Sequence, residues 1–122
     1  MPESAADYRA GLARKLFPRG IPKLWSPPLC HYTDDGKIDR KHIRAHLAHM
    51  APHVKTHLIP GSTGDGWELS EKEIDELLEF IIKETGDLGV RLLIGVLRPD
   101  GDDARRDIVK TVELLKALTG VA

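Results

Sequence analysis

Cysteine is nearly missing from this chain: Cys30 is the only one in 122 residues. A lone thiol excludes an internal disulfide framework and fits a reducing compartment. Excess charge of either sign is missing too, since 18 Lys and Arg stand against 19 Asp and Glu, a net charge of -1. No basic field invites a nucleic acid, and no acidic tail invites a basic partner. Long apolar runs are absent, so no stretch is suited to crossing a bilayer. The start, Met1-Pro2-Glu3-Ser4, carries neither a basic segment nor an apolar one, and no secretory signal is expected. Together these absences predict a cytoplasmic protein with no nucleic-acid and no membrane partner.

Hydrophobic residues make up 41% and charged residues 30% of the chain, an ordinary balance for a domain with a real core. The pattern is organised around residues 58–70, Leu58-Ile59-Pro60-Gly61-Ser62-Thr63-Gly64-Asp65-Gly66-Trp67-Glu68-Leu69-Ser70. This stretch reads as a short buried strand, a glycine-rich turn with two hydroxyls, and a capped helix start. Glycine tolerates φ > 0, so Gly61, Gly64 and Gly66 are expected to turn backbone N–H groups toward a common point. Such strand–loop–helix junctions are where α/β proteins place ligands, and converging donors suit a small carboxylate.

The flanking segments follow the same alternation. Residues 5–17 read as a helix with Tyr8, Leu12 and Leu16 in one stripe, expected to cover the end of the domain. Residues 21–25 read as a first strand, prolonged in extended form through Cys30-His31-Tyr32 because Pro27 and Pro28 forbid a helix. Asp34-Asp35-Gly36 reads as a turn, and Asp39 caps a helix to about residue 51 with Ile43, Leu47, Met50 and Val54 inward. Residues 56–60 form the second expected strand. Ser70-Glu71-Lys72-Glu73 has the form of a capping box, opening a helix with Ile74, Leu77, Leu78, Ile81 and Ile82 on one face. Residues 90–96 are nearly all aliphatic, as for a parallel strand buried on both faces. The last helix, over residues 103–118, would turn Ile108, Val112, Leu115 and Leu118 inward. Strands recur roughly every 35 residues, the spacing of β–loop–α units, and a fourth strand would begin near Val121.

Other chemistry-bearing residues admit more than one reading. His42, His46, His49 and His53 recur at helical spacing, which could set two imidazoles on one metal; a half-solvated polar flank is the simpler reading, because nothing in the helix completes a ligand set. We therefore expect no metal and no cofactor. Cys30 and His31 are adjacent on an extended segment and point to opposite faces, so Cys30 reads as a small buried thiol. Trp67 either shapes a pocket or packs. Arg98 either meets an anion or is a solvated loop side chain, the safer choice. A mononucleotide site at residues 61–66 lacks the lysine and following Ser/Thr of a P-loop, and its glycines are not spaced Gly-x-Gly-x-x-Gly.

Gly61-Ser62-Thr63-Gly64-Asp65, followed by Glu68-Leu69-Ser70-Glu71-Lys72-Glu73, resembles the Gly-[Ser/Thr]-Thr-Gly-Glu … Leu-Ser-x-Glu-Glu signature of the dihydrodipicolinate synthase / N-acetylneuraminate lyase family. Asp34-Asp35-Gly36-Lys37-Ile38-Asp39, Leu93-Ile94-Gly95-Val96 and the terminal Leu115-Lys116-Ala117-Leu118-Thr119-Gly120-Val121-Ala122 resemble further pieces of that family in the same order. The resemblance implies an α/β fold, the first three β/α units of a (β/α)8 TIM barrel. Residues 1–20 would be an N-terminal helix and linker, and residues 21–122 strands 1–3 and helices 1–3 of the barrel. It implies class I aldolase or lyase chemistry, in which a lysine forms a Schiff base with pyruvate or another 2-keto acid. Thr63, with Gly61 and Gly64, would hold the keto-acid carboxylate, and Ser62 would sit in a proton relay with a tyrosine.

The sequence departs from that family in three places. Cys30-His31-Tyr32 stands where Thr-Pro-Phe usually closes strand one, and Asp65 stands for glutamate. The family's Schiff-base lysine and relay tyrosine would fall after residue 122, so this chain alone is expected to be inactive. Three parallel strands would leave open edges that invite a second copy or the remainder of the barrel. The alternative function is a truncated, non-catalytic fragment acting only through association.

Overall fold

The computed structural model describes residues 2–120, and the expected strand at Val121 lies outside them. Helix α1 (Ala5–Leu16) starts where the Ser4 hydroxyl accepts from the Asp7 N–H at 3.1 Å. Helix α2 (Arg40–Met50) starts on Asp39, whose carboxylate accepts from the His42 N–H. Helix α3 (Glu71–Glu84) carries the full capping box: Ser70 Oγ accepts from Glu73 N–H, and the Glu73 carboxylate accepts from Ser70 N–H. Helix α4 (Gly101–Thr119) is capped by Asp100 and ends at Gly120 with φ 69°. Each start uses a short polar side chain to satisfy an N–H that the helix leaves open.

Among the described residues the sheet has two strands, β1 (Thr56–Leu58) and β2 (Arg91–Leu93), parallel, with Thr56 opposite Arg91, His57 opposite Leu92 and Leu58 opposite Leu93. This overturns the expected three β/α units of a TIM barrel: half the chain is helical, and two three-residue strands make the whole sheet. Residues 21–25 form no strand. Pro22, Pro27 and Pro28 lack the N–H that a ladder needs, and pairing shrinks to a single bridge, Ser26 to His57. The third expected strand is shortened to β2 and is not buried on both faces, for Arg91 and Leu93 are exposed. After Leu93 the chain runs on without a ladder, with Gly95 pressed against the Pro60 carbonyl.

The core lies where α2, α3 and the end of β1 meet the turn before α2. Ile38, Ile43, Leu47, Ile59, Leu69, Leu77, Phe80 and Ile81 form one buried cluster. Each fully buried side chain of this size contributes about 1.5–3 kcal/mol, so α3 is held by packing more than by its cap. Arg44 clamps the far end of α3, donating to the Asp87 carboxylate at 2.5 and 3.0 Å. Two expected apolar faces are covered less than expected. In α1 no residue is buried, and Tyr8, Leu12 and Leu16 stay exposed rather than closing the domain. In α4, Ile108 and Val112 face solvent, whereas Leu115 and Leu118 are half-buried as expected, alongside Thr111 and Leu114.

Candidate functional site

Residues 61–66 link β1 to α3, after a cis Ile59–Pro60 bond. The loop sorts its residues by size. Gly61, Gly64 and Gly66 are buried, whereas Ser62 and Thr63 stand exposed. The glycines are there for close approach rather than for a left-handed backbone. A Cβ on Gly64 would lie 2.7 Å from the Pro28 carbonyl oxygen, and one on Gly66 would lie 2.9 Å from the Gly61 oxygen. None of the three has positive φ; the residue in the left-handed region is Asp65, at φ 62°. Asp tolerates that region because its short side chain can hydrogen-bond locally.

Asp65 also holds the loop in place. Its carboxylate accepts a 2.7 Å hydrogen bond from the Tyr32 hydroxyl. Tyr32 belongs to a tight turn closed by the Tyr32–Ile38 bridge, with Gly36 at φ 81°. Burial first, then the bond to Asp65, pushes the Tyr32 phenol well above its ordinary value. Burial likewise raises the Cys30 thiol, while the neighbouring Tyr32 hydroxyl pulls the other way. Cys30 is thus a half-buried, protonated thiol, a poor nucleophile.

The four residues predicted to act on a substrate divide into two pairs. Ser62 and Thr63 are presented to solvent. Ser62 Oγ accepts from Trp67 Nε1 at 3.1 Å, so its own proton is free to be donated. Among the described residues, the N–H groups of Ser62 and Thr63 and the Thr63 hydroxyl have no partner within the chain, while Asp65 and Gly66 N–H are used inside the loop. Gly61 and Gly64 are buried beneath them and shape the loop. Trp67 is half exposed and partners Ser62. Arg98 is not a free loop cation, because its guanidinium donates to Asp107 at 2.5 Å. It lines a groove of about 360 Å³ between α3 and α4 that is walled by both charge signs, including Glu71 and Lys110. Every lysine is exposed, so none is desolvated as a Schiff-base amine requires.

The histidine stripe on α2 is split by its surroundings. His42 Nδ1 pairs with Asp39 at 2.5 Å, and His46 Nδ1 lies 3.0 Å from His31 Nε2. His49 and His53 are exposed. Among the described residues no three side chains of metal-binding type stand ready around one point. Sequence reasoning missed the Tyr32–Asp65 bond, the His31–His46 pair and the complete burial of His57. The first two join residues far apart in the chain, with no local signal. His57 stands between Thr56 and Leu58 in a strand-like run, and that flanking could have flagged it. No helix is long and apolar enough to cross a membrane among the described residues. No protein-family model, curated protein or solved structure matches the chain.

Proposed function

We propose that the loop at residues 61–66 binds the carboxylate of a small 2-keto acid of the pyruvate type, as part of a Schiff-base aldolase or lyase of the family the loop resembles. The observation that carries this reading is the pair of exposed, unpartnered donors at Ser62 and Thr63, set on a loop whose shape is fixed from below. A carboxylate accepts up to four hydrogen bonds, and the N–H and O–H groups of Thr63, with the Ser62 hydroxyl, are available as donors. Ser62 can give its proton because Trp67 already occupies it as an acceptor. The chain's own part is to bind and orient. The covalent step needs a desolvated lysine, and the lysines here are solvated.

The test separates the two parts. Pyruvate titrated into the ¹⁵N-labelled chain should shift the Ser62 and Thr63 amide signals, and Thr63→Ala should weaken that response. Borohydride with pyruvate should leave no adduct on this chain. If those amides do not move at saturating pyruvate, the binding reading fails; an adduct would show that a lysine here is reactive.

A second reading, association without catalysis, is favoured by Ile108, Val109 and Val112, three neighbouring apolar side chains exposed on α4. Sedimentation decides it: a strictly monomeric chain at high concentration removes it.

A further inference from the structure

We propose that His31, His42 and His46 bind one divalent first-row transition-metal ion, of the Zn²⁺, Ni²⁺ or Cu²⁺ kind, with Asp39 as the outer carboxylate that orients His42. The α2 stripe alone could not complete a ligand set; the fold adds His31 from the segment before the turn and Asp39 from the helix cap.

Two nitrogens already have the spacing. His31 Nε2 and His46 Nδ1 are 3.0 Å apart, with the rings edge to face and centroids 5.1 Å apart. An imidazole nitrogen sits about 2.0–2.1 Å from zinc, so two nitrogens on adjacent coordination positions are about 3.0–3.4 Å from each other. The spacing of the pair thus matches that of a two-point ligand, and rotation of the rings turns the nitrogens from each other onto an ion. In the metal-free chain the same spacing is a hydrogen bond, one ring donating and the other accepting.

The third ligand is one helical turn away. His42 precedes His46 by four residues, on the same face of α2, and its ring centroid is 6.4 Å from that of His31. Its Nδ1 is taken by Asp39 Oδ2, which leaves Nε2 as the free ligating atom. Histidine ligands to metals typically give their other nitrogen to a carboxylate in this way. The three nitrogens do not yet converge. The side chain of His42 is 67% exposed, so rotation toward the pair meets little packing and opens a path for the ion from solvent. Imidazole selects zinc, nickel and copper over calcium and magnesium, and water completes the coordination.

The same helix supplies a control. His49 and His53 repeat the four-residue spacing, but His53 lies beyond the end of α2, and among the described residues no ring contact joins either to another histidine.

The experiment is a Zn²⁺ titration of the full chain at neutral pH, followed by calorimetry and by the histidine ring signals in NMR. One ion should bind per chain, with the His31, His42 and His46 ring signals shifting together, and the melting temperature should rise with Zn²⁺. His31→Gln and His46→Gln should each weaken binding more than about tenfold. Asp39→Asn, which keeps the helix cap, should weaken it by about 10–100-fold. The double variant His49→Gln/His53→Gln should bind as the parent does. If His46→Gln disturbs folding, His31→Gln and the exposed His42→Gln carry the test. Absence of saturable binding at millimolar Zn²⁺, or binding that follows His49 and His53 instead, overturns the proposal.

Discussion

The Tyr32 hydroxyl donates to the Asp65 carboxylate across 2.7 Å, and this bond fastens the turn before α2 to the glycine-rich loop. Asp65 does two things at once, because it also adopts φ 62°. The two roles separate by substitution. Tyr32→Phe removes only the bond and should cost about 0.5–1.5 kcal/mol. Asp65→Asn keeps an acceptor and a residue that accepts the left-handed region, and should cost less. Asp65→Val loses the acceptor and adds a β-branched side chain at positive φ, worth about 1–2 kcal/mol more. Urea denaturation should rank Asp65→Val worst, Tyr32→Phe next and Asp65→Asn mildest; an unchanged Tyr32→Phe variant would show that the bond holds nothing. The phenol should titrate nearer its ordinary value in Asp65→Asn, without reaching it, since burial is the larger cause of its shift.

Glycine close to the loop is a matter of space, and Gly95, Gly66 and Gly61 should differ in a fixed order. A Cβ on Gly95 would overlap the Pro60 carbonyl oxygen, a backbone atom that cannot move aside cheaply. A Cβ on Gly66 would lie 2.6 Å from Leu97 Cδ1, which can swing, and 2.9 Å from the Gly61 oxygen, which cannot. A Cβ on Gly61 would meet Pro27 Cβ at 3.3 Å. Overpacking of this kind costs about 1–3 kcal/mol and sometimes more. Gly95→Ala should be the most destabilising, Gly66→Ala intermediate, and Gly61→Ala within about 1 kcal/mol of the parent. Melting curves check the order, and a Gly95→Ala variant as stable as the parent would place Gly95 away from Pro60.

The packed and bare faces of the helices make a third contrast. Leu78 on α3 is 0% exposed, and Leu78→Ala should cost about 2–5 kcal/mol through lost burial and a residual cavity. Ile108 on α4 is 51% exposed, and Ile108→Ala should change stability by no more than about 0.5 kcal/mol. Equal losses in denaturant unfolding would mean that Ile108 is covered in solution, which would argue for association through α4.

Helix ends were legible because they are decided within a few residues. Asp39 and Ser70 each act on neighbours, and each does what its type suggests, as Gly36 does in its turn. The sheet was not legible. Strand pairing depends on groups distant in sequence, and the prolines at 22, 27 and 28 proved stronger than the apolar pattern of residues 21–25. Ile108 and Val112 illustrate a second limit: periodicity finds an apolar stripe but not what, if anything, packs on it. At the loop, Ser62 and Thr63 are exposed, and the φ > 0 expected of glycine belongs to Asp65. The Tyr32 partner of that aspartate is supplied by a segment 33 residues away, which no spacing rule encodes.

His57 makes stability depend on pH with a predictable sign. It occupies the middle of β1, is 0% exposed, and neither ring nitrogen has a hydrogen-bond partner. Burial lowers its pKa, the charge of His46 lowers it further, and the Ser26 backbone opposes both without forming a bond of normal geometry. The folded chain therefore keeps His57 neutral, whereas in the unfolded chain it titrates near its ordinary value of about 6.5. The unfolded state takes up the proton first as pH falls. Stability from this group is complete above about pH 6.5 and is lost as pH falls toward the depressed folded value, at up to about 1.4 kcal/mol per pH unit. His57→Leu removes both the titration and the cost of two unpartnered buried nitrogens. It should be at least as stable as the parent at neutral pH and should lose less on acidification. Urea midpoints measured between about pH 7 and pH 5, with a chelator present, test this. Parallel curves for parent and His57→Leu would mean that the imidazole reaches water in the folded state.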